Sequence, residues 1–105
     1  MAELVWTRAA ESDLQEIFEQ CEEAREGSGE RFVSLLGAAV ELLRQFPEMA
    51  PVFDPPLRRL VLNARHHGVF YTLEPRGIIL HAVADLRRDP EELRLRLRRI
   101  TGRVR

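Results

Sequence analysis

The sequence predicts an α+β fold in the order β-α-α-β-β-β: a helical hairpin packed on a mostly antiparallel four-stranded sheet, followed by a basic C-terminal helix or tail. Three observations predict it. Two long stretches with helical apolar spacing fill the N-terminal half. Three strand-like apolar runs fill the C-terminal half. Only a Gly-Ser-Gly connection separates the two helical stretches, which makes them antiparallel neighbours.

Leu4-Val5-Trp6-Thr7 reads as a short first strand, and Thr7 can cap a helix that starts near Arg8 or Ala9. Leu14, Ile17, Phe18, Cys21 and Ala24 follow one helix face, while Glu16, Glu19, Glu22, Glu23 and Glu26 occupy the opposite one. Gly27-Ser28-Gly29 is expected to end this helix. A second helix is predicted from about Glu30 to Phe46. Its apolar stripe (Phe32, Leu35, Leu36, Ala39, Val40, Leu42, Leu43, Phe46) is broader, which places it deeper in the core. Residues 47–56 contain Pro47, Pro51, Pro55 and Pro56, and are read as an ordered surface loop without regular structure. Strands are predicted at Leu57–Leu62, Val69–Leu73 and Ile78–Ala84, with Pro75-Arg76-Gly77 as the turn between the last two. The near-continuous apolar run of the third marks a central strand. After Pro90, Leu93, Leu97 and Ile100 form one stripe of a helix that also carries Arg94, Arg96, Arg98 and Arg99.

A length of 105 residues suits one domain, 1–105, with residues 91–105 as its basic tail. Cys21 is the only cysteine, so an internal disulfide and a Cys-rich zinc site are both excluded. Charges run through the first 25 residues. The longest apolar stretch, Ile78 to Ala84, is interrupted by His81 and is too short to span a membrane. These features predict a cytoplasmic protein without a membrane segment. The net charge of −1 hides an asymmetry. Residues 1–50 hold 11 acidic and 4 basic side chains, whereas residues 51–105 hold 6 acidic and 12 basic ones. Every basic side chain apart from the three histidines is arginine. An Arg-rich half suits an anionic partner, either nucleic acid or an acidic protein segment.

Several local sequences, in this order and spacing, resemble the RelE/ParE superfamily of type II toxin–antitoxin proteins over residues 4–90. Val5-Trp6-Thr7-Arg8-Ala9-Ala10 with Asp13-Leu14 and Ile17 is similar to the family's opening strand and helix. Leu43 with Phe46-Pro47 is similar to its second helix end, and Arg58-Arg59-Leu60 and Val69-Phe70-Tyr71 to two of its strands. Ile79 to Val83 followed by Arg87-Arg88-Asp89-Pro90 is similar to its last strand and ending. The resemblance implies a toxin neutralised by a cognate antitoxin in a hetero-oligomer. Its target would be DNA gyrase in ParE-like members, or the ribosome and mRNA in RelE-like endoribonucleases. No cofactor is implied.

Metal-independent RNA cleavage needs a base, an acid and cations for the pentavalent phosphate. Carried over residue by residue, the resemblance places Gly68 where RelE-like nucleases have a sheet arginine. Arg87 or Arg88 falls at a second arginine position, and Glu92 or Leu93 where those enzymes have a C-terminal tyrosine. That pattern favours a ParE-like binding toxin, a class associated with plasmid stabilization and growth inhibition. The residues that keep nuclease chemistry open are His81, Asp85, Arg87 and His67. Strand alternation puts His81 and Asp85 on one face, and His66-His67 reads as a turn. The ordinary reading of each histidine is structural: a solvated turn pair, and a partly buried strand residue with a hydrogen-bond partner. The candidates for partner contact are Arg58, Arg59, His66, Tyr71, Arg87 and Arg88. Arg58 and Arg59 alternate across their strand, and Tyr71 reads first as a sheet aromatic packed under the helices. No histidine spacing supports a metal site.

Overall fold

The computed structural model describes residues 2–62 and 66–101, with the side chains of residues 100 and 101 outside that description. Its elements are β1 (Leu4–Trp6), α1 (Arg8–Ala24), α2 (Ser28–Gln45), β2 (Val52–Asp54), β3 (Leu57–Leu62), β4 (His67–Glu74), β5 (Gly77–Asp85) and α3 (Pro90–Thr101). Thr7 separates β1 from α1 as its residue type predicts. Its Oγ1 accepts from the Ala10 amide at 3.1 Å and donates to the Leu80 carbonyl at 2.9 Å. One hydroxyl thereby caps α1 and ties it to β5.

The hairpin turn lies two residues earlier than the sequence predicts, at residues 25–27 instead of 27–29. α1 ends at Ala24, and α2 begins at Ser28, so Ser28 and Gly29 are helical residues rather than terminators. Gly27 alone takes the left-handed conformation, at φ 84°. Glu22 replaces the missing side-chain cap, accepting from the amides of Gly27 at 3.2 Å and Gly29 at 2.7 Å. A Cβ on Gly29 would stand 2.7 Å from Phe18 Cδ2 and 2.9 Å from the Glu22 side chain. Gly29→Ala is therefore expected to cost about 1 to 2 kcal/mol, overpacking outweighing the better helix propensity of alanine. A urea melt showing equal or greater stability for the variant would refute this close approach.

The sheet has five strands in the order β1-β5-β4-β3-β2. β1 runs parallel to β5, and all other pairs are antiparallel. The expected four strands become five because Val52–Asp54 forms an edge strand inside the proline-rich stretch, pairing Val52 with Arg58 and Asp54 with Leu57. Pro51, Pro55 and Pro56 flank these three residues without interrupting them, and an edge strand needs ladder bonds on one side only. The Leu57–Leu62 strand has the predicted bounds. The other two extend slightly beyond theirs, and His67 opens β4, opposite Leu62 and Asp85, instead of lying in a turn.

A bulge interrupts the ladder between β4 and β5. Phe70 pairs with Ala82 and Tyr71 with Leu80, which leaves His81 as the extra residue. Alternation shifts by one there. Ile78, Leu80 and Val83 all belong to the core between the sheet and the α1/α2 hairpin, together with Phe32, Leu36 and Leu43. The other face carries a second cluster of Leu57, Phe70, Ala82, Ala84 and Leu97, with Phe53, Leu86 and Leu93 packed against it. The C-terminal helix therefore docks on the sheet through Leu93 and Leu97, while Arg94, Arg98 and Arg99 stay exposed. Ile100, the third residue of that stripe, and residues 102–105 of the basic tail lie outside the described side chains.

Candidate functional site

β1 accompanies β5 only as far as Leu80, so the edge of β5 beyond it needs other partners. Asp13 of α1 supplies one. Its Oδ2 accepts from the Val83 amide at 2.9 Å, and its Oδ1 accepts from Arg96 of α3 at 2.5 Å. These contacts frame a cleft of about 110 Å³ between α1, the end of β5 and α3, lined by Asp13, Ile17, His67, Asp85, Arg88 and Arg96 among others. Asp85 holds Arg87 in a two-pronged pair, with Nε at 3.1 Å and Nη2 at 3.0 Å, and also accepts from the Arg87 amide. The hydrogen bond from Arg87, assisted by its charge, lowers the Asp85 carboxyl to about 2. The structure thus brings His67, Asp85, Arg87 and Arg88 together at one end of the sheet.

His81 is not with them. The bulge turns it to the opposite face from the one alternation predicts, beside Ala82 rather than Asp85. There its Nε2 lies 2.8 Å from the Thr72 hydroxyl, which in turn lies 3.1 Å from Glu74. The carboxylate touches the hydroxyl and not the imidazole, so His81 and Glu74 are linked through Thr72 and not directly. Burial pushes the His81 pKa down, and Glu74 offsets this only in part. The unfolded chain, with its histidine near 6.5, then takes up the proton before the fold does. Stability is fully present above that value and is expected to fall as the pH drops below it. Urea midpoints measured between pH 8 and 5 should show this slope, and His81→Gln should flatten it. Identical slopes in both chains would exclude His81 as the source.

The partner-contact candidates divide by exposure. Arg58 donates to the carbonyls of Ala50 at 2.7 Å and Glu48 at 3.3 Å, and Tyr71 donates to Pro47 at 2.9 Å. Both side chains pin the proline-rich loop to the sheet. Tyr71 has no exposed surface, and its hydroxyl pKa is raised by burial. Arg59 lies over the Phe53 ring, 4.8 Å from its centroid. His66, Arg87 and Arg88 are exposed. His67 is half-buried, edge-on to Phe32 with ring centroids 5.0 Å apart.

The broad stripe of α2 does bury Phe32, Leu36, Val40 and Leu43, yet Leu42 remains 43% exposed. With Leu35, Ala39, Met49, Leu60 and Val61, Leu42 lines an apolar groove of about 280 Å³ between α2 and β3. β2 covers only the start of β3, since its pairing reaches Leu57 and Arg58, and the Arg59 amide goes to Pro51. Beyond that point the β3 edge opens onto the groove. Among the described residues no group of three or more His, Cys, Asp or Glu is placed to hold a metal ion. No described helix is long and apolar enough to cross a membrane.

The family model described as "ParE toxin of type II toxin-antitoxin system, parDE" matches residues 4–90. The chain belongs to the ParE toxin family. A solved structure titled "Chromosomal ParDE TA system from P. aeruginosa" shares the fold, with a TM-score of 0.74 and 21% identity over 82% of this chain and 97% of that one. No curated protein matches the chain significantly in sequence. In this ParE-family chain the groove between α2 and β3 and the His67–Asp85 end of the sheet lie inside the matched segment. Helix α3, which supplies Leu93 and Arg96 to the cleft, begins at its last residue, Pro90.

Proposed function

We propose that this chain is a cytoplasmic toxin that inhibits DNA gyrase by binding it, and that a cognate antitoxin neutralises it by docking in the groove between α2 and β3. The observation that carries the antitoxin part is the groove itself. Leu42, Met49 and Val61 are each 43% or more exposed along it, and the β3 edge beside it is uncovered by β2. Arg59 sends its amide outward to Pro51, so alternation directs the amide and carbonyl of Val61 to the same side. An incoming chain can therefore add main-chain hydrogen bonds while its apolar side chains fill the groove. The gyrase part rests on the family and on the absence of RelE-type groups at Gly68, Glu92 and Leu93.

The test is gyrase supercoiling in the presence of the purified chain, with and without its cognate antitoxin. Inhibition that the antitoxin relieves is expected. Leu42→Glu together with Val61→Glu should weaken antitoxin binding by at least 10-fold, because two carboxylates then face an apolar partner. Failure of the unmodified chain to inhibit gyrase overturns the reading. A second reading, a ribosome-dependent endoribonuclease, draws on the convergence of His67, Asp85 and Arg88 in one cleft. Defined mRNA cleavage sites in primer extension after induced expression would select it.

A further inference from the structure

Helix α3 crosses the face of the sheet opposite the hairpin and brings its arginines to Phe53. The Arg94 guanidinium lies 5.5 Å from the centroid of that ring, and Arg59 of β3 lies 4.8 Å from the same point. Phe53 is itself held edge-on against Phe70, with centroids 5.3 Å apart. One turn along α3, Arg98 reaches Asp54 at 3.7 Å. Three guanidinium groups thus gather around two neighbouring residues of β2, with Asp54 the carboxylate among them. Stacking on a ring fixes a guanidinium plane but leaves its N–H edge free to bind oxygen. Asp54 offsets the charge of Arg98, while Arg59 and Arg94 share one ring, and an anion placed beside those two relieves their mutual repulsion.

We infer that the Arg59–Arg94–Arg98 cluster around Phe53 binds the phosphodiester backbone of nucleic acid. Arg94 and Arg98 are four residues apart on one helix, about 6 Å along its axis, so they present a row of forks to a row of charges. A single acidic side chain would occupy one fork and leave the others. The two α3 arginines lie beyond the segment matched by the ParE family model. The inference goes beyond the proposed gyrase inhibition and does not depend on it.

The experiment is fluorescence anisotropy of a labelled DNA duplex of about 20 base pairs with arbitrary sequence, titrated with the full chain at several salt concentrations. Binding is expected to weaken with salt, with a log–log slope of about −2 to −3 for two to three phosphate contacts. The double variant Arg59→Gln, Arg94→Gln should bind at least 10-fold more weakly at about 50 mM salt, with a slope shallower by about 2. Arg31→Gln, on the exposed side of α2, should bind as the unmodified chain does. Equal thermal melts guard against misfolding, and a shift of the Phe53 ring resonances on adding duplex to the unmodified chain reports the site without any variant. No salt-dependent binding, or binding that survives the double variant, overturns the inference. So does binding of poly-L-glutamate without binding of duplex, which would assign the cluster to an acidic protein partner. Gyrase inhibition and its relief by antitoxin are read separately, so either proposal can fail alone.

Discussion

Asp13→Ala is expected to lower the free energy of unfolding by about 3 kcal/mol and to loosen α3 at the same time. The side chain is largely covered, and its two oxygens serve two different elements, the Val83 amide of β5 and Arg96 of α3. Hydrogen bonds to a charged group contribute about 1.5 to 3 kcal/mol, and removing the acceptor leaves a covered backbone donor without its partner. The exposed share of Arg96, 34% of its side chain, limits what the ion pair adds. Asp13→Asn separates the two contributions. It keeps an oxygen for Val83 and loses the charge facing Arg96, so about half the loss is expected. Urea unfolding gives the totals, and amide exchange at Val83 reports the local effect. A change below about 0.5 kcal/mol for the alanine variant, within the range of an ordinary surface substitution, would show that this bridge contributes little.

Leu97→Asp is expected to release α3 from the sheet while the hairpin–sheet core remains folded. Leu97 is 1% exposed and packs among Leu57, Phe70, Ala82 and Ala84. Burying a leucine contributes about 1.5 to 3 kcal/mol, and a carboxylate at the same place adds a desolvation cost. Leu93 loses its seat when the helix lifts, so a total of about 3 to 5 kcal/mol is at stake. The predicted signature is new ANS binding at the uncovered Phe70 face and rapid tryptic cutting at Arg94, Arg98 and Arg99. Far-UV circular dichroism should lose the share contributed by α3 and keep the rest. Unchanged proteolysis would mean that Leu97 does not hold the helix down. A complete loss of structure would mean that the second cluster is part of the folding core.

The two variants release neighbouring residues of the same helix, Arg96 and Leu97, and so they also bear on the nucleic-acid inference. If α3 carries the guanidinium row, Leu97→Asp should weaken duplex binding along with the packing, because Arg94 and Arg98 lose their fixed positions beside Phe53 and Asp54.

Much of the fold was legible because helix and strand periods differ and the chain keeps them cleanly apart. The apolar face through Leu14 and Ile17, the stripe through Phe32, Leu36, Val40 and Leu43, and the run from Ile78 to Ala84 each lie where a period predicts burial. The Thr7 cap was legible for a local reason, since a hydroxyl before a helix has few better uses than the amide three residues on. The misreadings share a different cause. Val52–Asp54 is a strand only because β3 comes to lie beside it. Gly29 is helical because a carboxylate seven residues earlier caps it. Leu42 lines a groove where its stripe predicts depth, because spacing cannot distinguish a groove from a core.

The sequence by itself determined the order of every element except β2, the continuous apolar run of the central strand and the arginine-rich half, because these follow from short-range periods and composition. Only the tertiary structure decided the arrangement of the site. One unpaired residue at His81 reverses alternation, sending His81 toward Thr72 and Glu74 while Asp85 stays with His67 and Arg87. A bulge is set by how two strands meet, and neither strand carries that information alone. The same holds for Arg59 and Arg94, 35 residues apart in the chain, which share a ring only once α3 has folded back across the sheet.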